Sequence, residues 1–330
     1  MAIGSGLAGS LGLKAEATYG TGVTPDRFLE VNSVSLKKDK NVAQGGGLRA
    51  GTFFQPGSRR VVTTSGASGS IELEVVNKQM GLLLQAQMGT TVTPVVQGAT
   101  SAYLQTHTFA DTLGKSFTAQ VGVPDLTGTV RPYTYSGCKV MGAEFSCGVN
   151  DILTATFDVD AQSVTDATGL AAPSYLTGLS PFHFGQMAVK VGTFGSEASV
   201  SGVSKVSVKI ERNQKADRFY AGANGLKAEP VVAGWQAITG TIDTDFVDKT
   251  VFADRFASDS SFSLVWEFVG ATIASTFKET FRITLPSCFL DSDTPTLDGP
   301  DVVSPSFGFT YQYDGTNLPK IEYMSAEVAI

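Results

Sequence analysis

Gly4-Ser5-Gly6-Leu7-Ala8-Gly9 matches G-x-G-x-x-G, the loop that seats a dinucleotide pyrophosphate on a helix N-terminus. That chemistry needs a strand before the glycines and a helix after them. Only three residues precede them here, and no βαβ pattern follows. A glycine-rich arm is the better reading. Ser35-Leu36-Lys37-Lys38 matches S-x-x-K, but on a strand-like stretch instead of at a helix start. His107 and His183 lie far apart, neither has a cysteine at zinc-ligand spacing, and no G-x-S-x-G elbow accompanies them. Cys138, Cys147 and Cys288 form an odd set without close pairs. They fit a reducing compartment, as small buried hydrophobes without a basic partner to activate a thiolate. These residues predict no enzyme, no cofactor and no metal.

One polar pattern occurs twice. Glu72 and Glu74 alternate with Ile71, Leu73 and Val75, while Asp243 and Asp245 alternate with Ile242, Thr244 and Phe246. Asp158 and Asp160 alternate with Phe157 and Val159. Paired carboxylates could hydrolyse a glycoside. An enzyme would not need the same pair twice, however, and stacking tryptophans are scarce, Trp235 and Trp266 alone. A solvated strand face is the plain reading. The sharper one is a channel lining, where negative charge keeps nucleic acid from sticking.

The carboxylates belong to a larger repetition. Val34-Ser35-Leu36-Lys37-Lys38-Asp39-Lys40-Asn41 returns as Val206-Ser207-Val208-Lys209-Ile210-Glu211-Arg212-Asn213. Gly69-Ser70-Ile71-Glu72 returns as Gly240-Thr241-Ile242-Asp243, and Ser136-Gly137-Cys138 aligns with Pro286-Ser287-Cys288. The order of blocks is kept, so the chain reads as two copies of one β-rich unit. Duplicated units commonly build pseudo-symmetric assemblies.

Composition agrees. The chain has 330 residues, 42% hydrophobic and only 17% charged, with 36 glycines. Two units of about 150 residues can each bury a core without disulfides. A formal net charge of -7 argues against a protein that grips nucleic acid, though not against one that lets it slide past. No run of 18 apolar residues predicts a membrane span, and the first 20 residues do not read as a signal peptide.

The expected organisation is an N-terminal arm at 1–27, a first copy at 28–163, a linker at 164–181, a second copy at 182–317 and a C-terminal tail at 318–330. Each copy holds strands and one short helix. The first helix is expected at Lys78–Met88, capped by Asn77 and stopped by Gly89; the second at Lys249–Ala257, capped by Asp248. Long glycine-rich loops interrupt both copies at matching places, 41–60 and 213–233. Leu48-Arg49-Ala50 with Phe53 and Phe54 is echoed by Leu226-Lys227-Ala228 with Phe219 and Tyr220. Long loops inside compact domains are commonly functional, and these suggest contact arms between subunits.

Val121-Gly122-Val123-Pro124-Asp125, Pro132 to Val140, Glu144 to Gly148 and Asp151 to Asp160 resemble the major tail tube proteins of long-tailed bacteriophages, as do Leu48 to Gly51 and Pro56 to Arg60. The resemblance implies two tandem copies of a β-sandwich or barrel unit, each with one short flanking helix. It implies rings closed by side-by-side sheets and stacked into a virion tail tube, assembled in the host bacterial cytoplasm. Such a tube grows on a tape-measure protein, meets tail terminator and distal tail or baseplate proteins, and conducts double-stranded DNA without binding it specifically. Two copies per chain imply a trimeric ring with pseudo-sixfold symmetry. Leu48, Arg49, Phe53, Phe54, Phe219, Tyr220, Leu226 and Lys227 become candidate contacts between rings. Glu72, Glu74, Asp243 and Asp245 become candidate lumen residues. A duplicated β-sandwich adhesin or carbohydrate-binding protein is the competing reading.

Overall fold

The computed structural model describes residues 4–247, 249–291, 299–300 and 302–330. Among the described residues the protein is mainly β, with two short α-helices. The first half contributes β1 (Ser10–Ala15), β2 (Lys37–Gln44), β3 (Arg60–Glu74), α1 (Gly81–Met88), β4 (Tyr103–Thr108), β5 (Phe117–Pro124), β6 (Val130–Gly148) and β7 (Thr154–Ala161). The second contributes β8 (Met187–Thr193), β9 (Val203–Glu211), β10 (Ala237–Thr244), α2 (Ala253–Ala257), β11 (Phe262–Ala274), β12 (Phe277–Leu290), β13 (Ser306–Tyr311) and β14 (Lys320–Ser325).

Antiparallel pairing links the first set in the order β2-β3-β7-β6-β5-β1. The second set follows β9-β10-β13-β12-β11-β8. The registers match as well as the order. Ile71 faces Phe157 in one set and Ile242 faces Phe307 in the other. Phe117 faces Cys138, and Phe262 faces Cys288. Gly69 and Gly240 stand at equivalent points for a steric reason. A Cβ on Gly69 would lie 2.6 Å from the Ser35 carbonyl oxygen, and one on Gly240 would lie 2.2 Å from that of Ser207. Neither strand can carry a side chain there without moving its neighbour.

Two further pairings tie the sets together. β9 adds to the C-terminal half of β6, with Val208 opposite Phe145. β14 lies between β12 and β4, with Ile321 opposite Ile283 and His107. One apolar cluster results, running through both sets. An aromatic chain crosses it: Phe157 meets Phe145 edge-on at 6.0 Å, Phe145 lies 5.5 Å from Phe281, and Phe281 lies 6.3 Å from Phe182. Burying each such ring contributes roughly 1.5–3 kcal/mol.

The ends of the chain differ from the expected arm and tail. Residues 10–15 form β1, paired on both edges, with Leu11 and Leu13 buried. Residues 320–325 form β14, with Ile321 and Tyr323 buried. Both segments find their partner within the chain. The first helix starts at Gly81, not Lys78, because the Asn77 side chain is used elsewhere. It accepts from the Ser180 amide at 2.9 Å and donates to Glu279 at 2.6 Å. Gly89 does end the helix, at φ 89°. Asp248, the expected second cap, lies outside the described residues.

His107 on β4 is fully buried, and burial brings its pKa down to about 3. Unfolded histidine titrates near 6.5. The folded value lies below the unfolded one, so the stabilisation is full above pH 6.5 and is lost as pH falls towards the folded value. About 3 kcal/mol should be gone by pH 4. Urea denaturation of the native chain and His107→Gln across pH 7.5 to 4 checks this. The variant should lose much less on acidification; parallel acid limbs would refute the assignment.

Candidate functional site

Eight strands form one continuous sheet across both sets, in the order β2-β3-β7-β6-β9-β10-β13-β12. Period-two alternation gives it two faces. Ile71, Phe157, Phe145, Val208 and Ile238 are buried on one. The opposite face is polar. Following one row across it, Glu72 faces Thr156, which faces Glu144, then Lys209, then Thr239. The next row runs from Ser70 through Asp158 and Gly142 to Glu211.

Glu72 and Glu74 sit on this face, half-buried, and Ser33 donates to Glu72 at 3.0 Å. Asp243 occupies the matching place on β10, opposite Lys205. Asp245 lies just beyond β10, exposed, and accepts from Ser304 at 2.8 Å. Sequence alternation did not single out Glu144, Glu211, Lys205 and Lys209 as members of the face. Its signal was present in Ala143-Glu144-Phe145-Ser146-Cys147, but the pairing of β6 with β9 is what assembles the row. Lys209 bonds Glu211 at 2.7 Å, and its pKa is raised by Glu211 first, then Glu144 and Asp158. Carboxylates thus outnumber ammonium groups around the centre of the face.

The two long loops differ in environment. The loop after β2 is open: Leu48, Arg49, Phe53 and Phe54 are all exposed, Phe53 at 96%. The loop after β9 folds back on the first strand set. Ser65 donates to the Gly225 carbonyl at 2.9 Å and bridges Leu226. Lys227 reaches Asp160 at 2.5 Å, and the Gln162 amide donates to the Lys227 carbonyl at 2.9 Å. Glu229 enters the interior to meet Lys139 at 2.7 Å. Leu226 and Lys227 are therefore engaged within the chain. Phe219 is half-buried, bridged to Lys227, and Tyr220 stays exposed under the Arg218 guanidinium.

Burial pushes the Cys138 and Cys288 thiols well up and that of Cys147 to about 11, so all three are inert at neutral pH. Among the described residues, no group of three or more His, Cys, Asp or Glu could hold a metal ion. None of their helices is long and apolar enough to cross a membrane.

The described residues thus combine a polar sheet face with exposed aromatic side chains on the loop after β2. The family model described as phage tail tube protein matches residues 6–311. The chain belongs to the phage tail tube protein family. That membership makes this tail tube protein a structural component of the virion tail, one that self-assembles into a tube alongside other tail components. Among curated proteins none matches it.

Proposed function

We propose that the chain is a tandem duplication of one tail tube unit, and that three chains close into a pseudo-sixfold ring. The ring stacks into a hollow conduit for double-stranded DNA. The observation that carries this reading is the β6–β9 junction inside the chain. There, β9, the outer strand of the second set, adds to the C-terminal half of β6, beyond the residues that β5 covers. The equivalent outer strand of the first set, β2, pairs only with β3 among the described residues, and its outer edge is free. A free edge recruits another strand. If β2 adds to the second set of a neighbour as β9 adds to β6, the contact is head-to-tail. It closes only when the rotation divides a full turn. Three two-unit chains satisfy this as six single units would.

On this reading the acidic sheet face lines the lumen. Glu72, Glu74, Glu144, Asp158 and Asp243 repel phosphate, and DNA slides without adhering. Phe53, Phe54 and Tyr220, exposed on loops, meet the adjacent ring. The tape-measure protein occupies the lumen before DNA does, and terminator and distal tail or baseplate proteins cap the ends. Assembly takes place in the host cytoplasm, where the three thiols stay reduced.

Negative-stain electron microscopy across protein concentration, with native mass spectrometry of the rings, tests this. Rings or tubes with three- or sixfold end views and three chains per ring are expected. Compact monomers at every concentration, even with other tail proteins added, would overturn the proposal.

A further inference from the structure

The loop after β2 and the loop after β9 carry the same short motif. Gly47-Leu48-Arg49-Ala50 matches Gly225-Leu226-Lys227-Ala228. One copy of the motif has a seat and the other does not. Leu226 is half-buried and the Lys227 side chain only 11% exposed, whereas Leu48 is 103% exposed.

The seat of the second motif can be mapped through the matching registers. It consists of the β3 edge at Thr63 to Gly66, with Asp160 and Gln162. Gly225 packs so close to β3 that an added Cβ would lie 2.5 Å from the Thr63 carbonyl oxygen. The Lys227 stem covers Gly66. Ser68 faces Asp160 in the first set and Thr239 faces Thr310 in the second. Ser65, Asp160 and Gln162 thus correspond to Gln236, Thr310 and Gln312, and Thr64 corresponds to Trp235.

That second-set position is uncovered. Trp235 is 95% exposed and borders an apolar groove with Phe109, Tyr311, Tyr313 and Leu318. Gln236 and Gln312 are exposed, whereas Ser65 and Gln162 are half-buried. The anionic partner is present too. Asp160 has become Thr310, but Thr310 donates at 2.5 Å to Asp291 on the adjoining strand end. Asp291 is exposed. The same chain therefore holds a vacant seat with a carboxylate and an unseated motif with a guanidinium.

We propose that Leu48-Arg49-Ala50 of one chain occupies the groove beside Trp235 of a second copy, repeating between chains the contact that Leu226-Lys227-Ala228 makes within one. Leu48 aligns with Gln236, Arg49 pairs with Asp291, and Gln312 donates to the Arg49 carbonyl. The contact rests on the ring reading and deepens it. It assigns Leu48 and Arg49 to the joint between neighbours of one ring, not between stacked rings. In the described fold the motif does not fill its own chain's groove: Leu48 and Arg49 are exposed on the loop after the edge strand β2, whereas Trp235 precedes β10 in the other strand set. A head-to-tail partner is the arrangement that fills both.

The test is disulfide trapping in Leu48→Cys/Gln236→Cys. Both positions are exposed, and the native cysteines are buried. Bridged strand neighbours fall within the roughly 5.5 Å Cα separation a disulfide spans. Mild oxidation of assembled material should yield covalent dimers and trimers on a non-reducing gel, with neither single variant doing so. In parallel, iodide quenching of the unmodified chain reads Trp235, since Trp266 is buried. Rings should lose most of the quenchable fluorescence that dispersed chains show. Rings that form without cross-linking and with Trp235 still quenched would overturn this contact while leaving the ring intact. An unmodified chain that never assembles would overturn both. Glycan protection of Trp235 in dispersed chains, with no cross-linking on assembly, would give the groove to a carbohydrate and likewise overturn the contact.

Discussion

Phe145→Ala is expected to lower the stability of the dispersed chain by about 3–5 kcal/mol. Phe145 has no exposed surface. It stands on β6 where three things meet. Its ring packs edge-to-face against Phe157 of the first set, at 86°, and 5.5 Å from Phe281 of the second. Its backbone lies opposite Val208 of β9. Truncation removes the ring's burial and leaves a cavity whose walls belong to two strand sets. Those walls are held by hydrogen-bonded strands on both sides, so collapse into the gap is restricted. The exposed aromatics supply the contrast. Phe53→Ala should change folding stability by no more than about 0.5 kcal/mol, since Phe53 touches water already. Urea midpoints measured at a dilution that keeps chains apart would separate the two, because assembly otherwise adds its own stabilisation. A loss under about 1 kcal/mol at Phe145 would mean that the junction repacks freely, and that the two sets are not joined through this ring.

What could be read from residue order was what local periodicity encodes. Ile71, Leu73 and Val75 announce a half-buried strand by alternation alone. Gly89 announces a helix stop because a left-handed residue is needed there. Cys138 and Cys288 sit at matching places because small apolar groups face Phe117 and Phe262 across equivalent ladders. The failures share a cause. Ser10 to Ala15 looks like an arm because Gly12 and Ser10 dilute the two leucines. It becomes a strand only when β5 and the Arg27–Leu29 strand pair with it. Ile321 and Tyr323 likewise gain meaning from β4 and β12. The polar face was half legible: Glu72 and Asp243 were visible in their own strands. Glu144 and Lys209 became neighbours only through a pairing between segments some sixty residues apart, which no local pattern specifies. Lys139 was invisible for the same reason, since its partner lies on a loop of the other half.

Glu229→Ala is expected to cost about 3–5 kcal/mol at pH 7, the loss typical of stranding one member of a buried ion pair. The Lys139 side chain is 1% exposed. Its ammonium bonds Glu229 at 2.7 Å and also donates to the Thr112 carbonyl. Burial pulls the Lys139 pKa down, and the Glu229 contact works against that pull. Without the carboxylate, burial prevails and the folded value drops further below the unfolded 10.4. The variant's native state then favours neutral lysine, so its deficit against the parent should narrow as pH rises from 7 to 9. A deficit that stays constant with pH would point to lost packing instead. Glu229→Gln should cost less, because its carbonyl can still accept from Lys139 and from the Gly114 amide, which Glu229 bonds at 2.7 Å. Replacing both partners, Lys139→Met with Glu229→Gln, should recover most of the loss, since no charge is then left buried. The functional consequence follows from position. Glu229 anchors the loop that carries Leu226 and Lys227 onto the first strand set. Glu229→Ala should therefore loosen the seat inside the chain, and rings built from it should dissociate at lower urea than the parent's even where the chain itself remains folded.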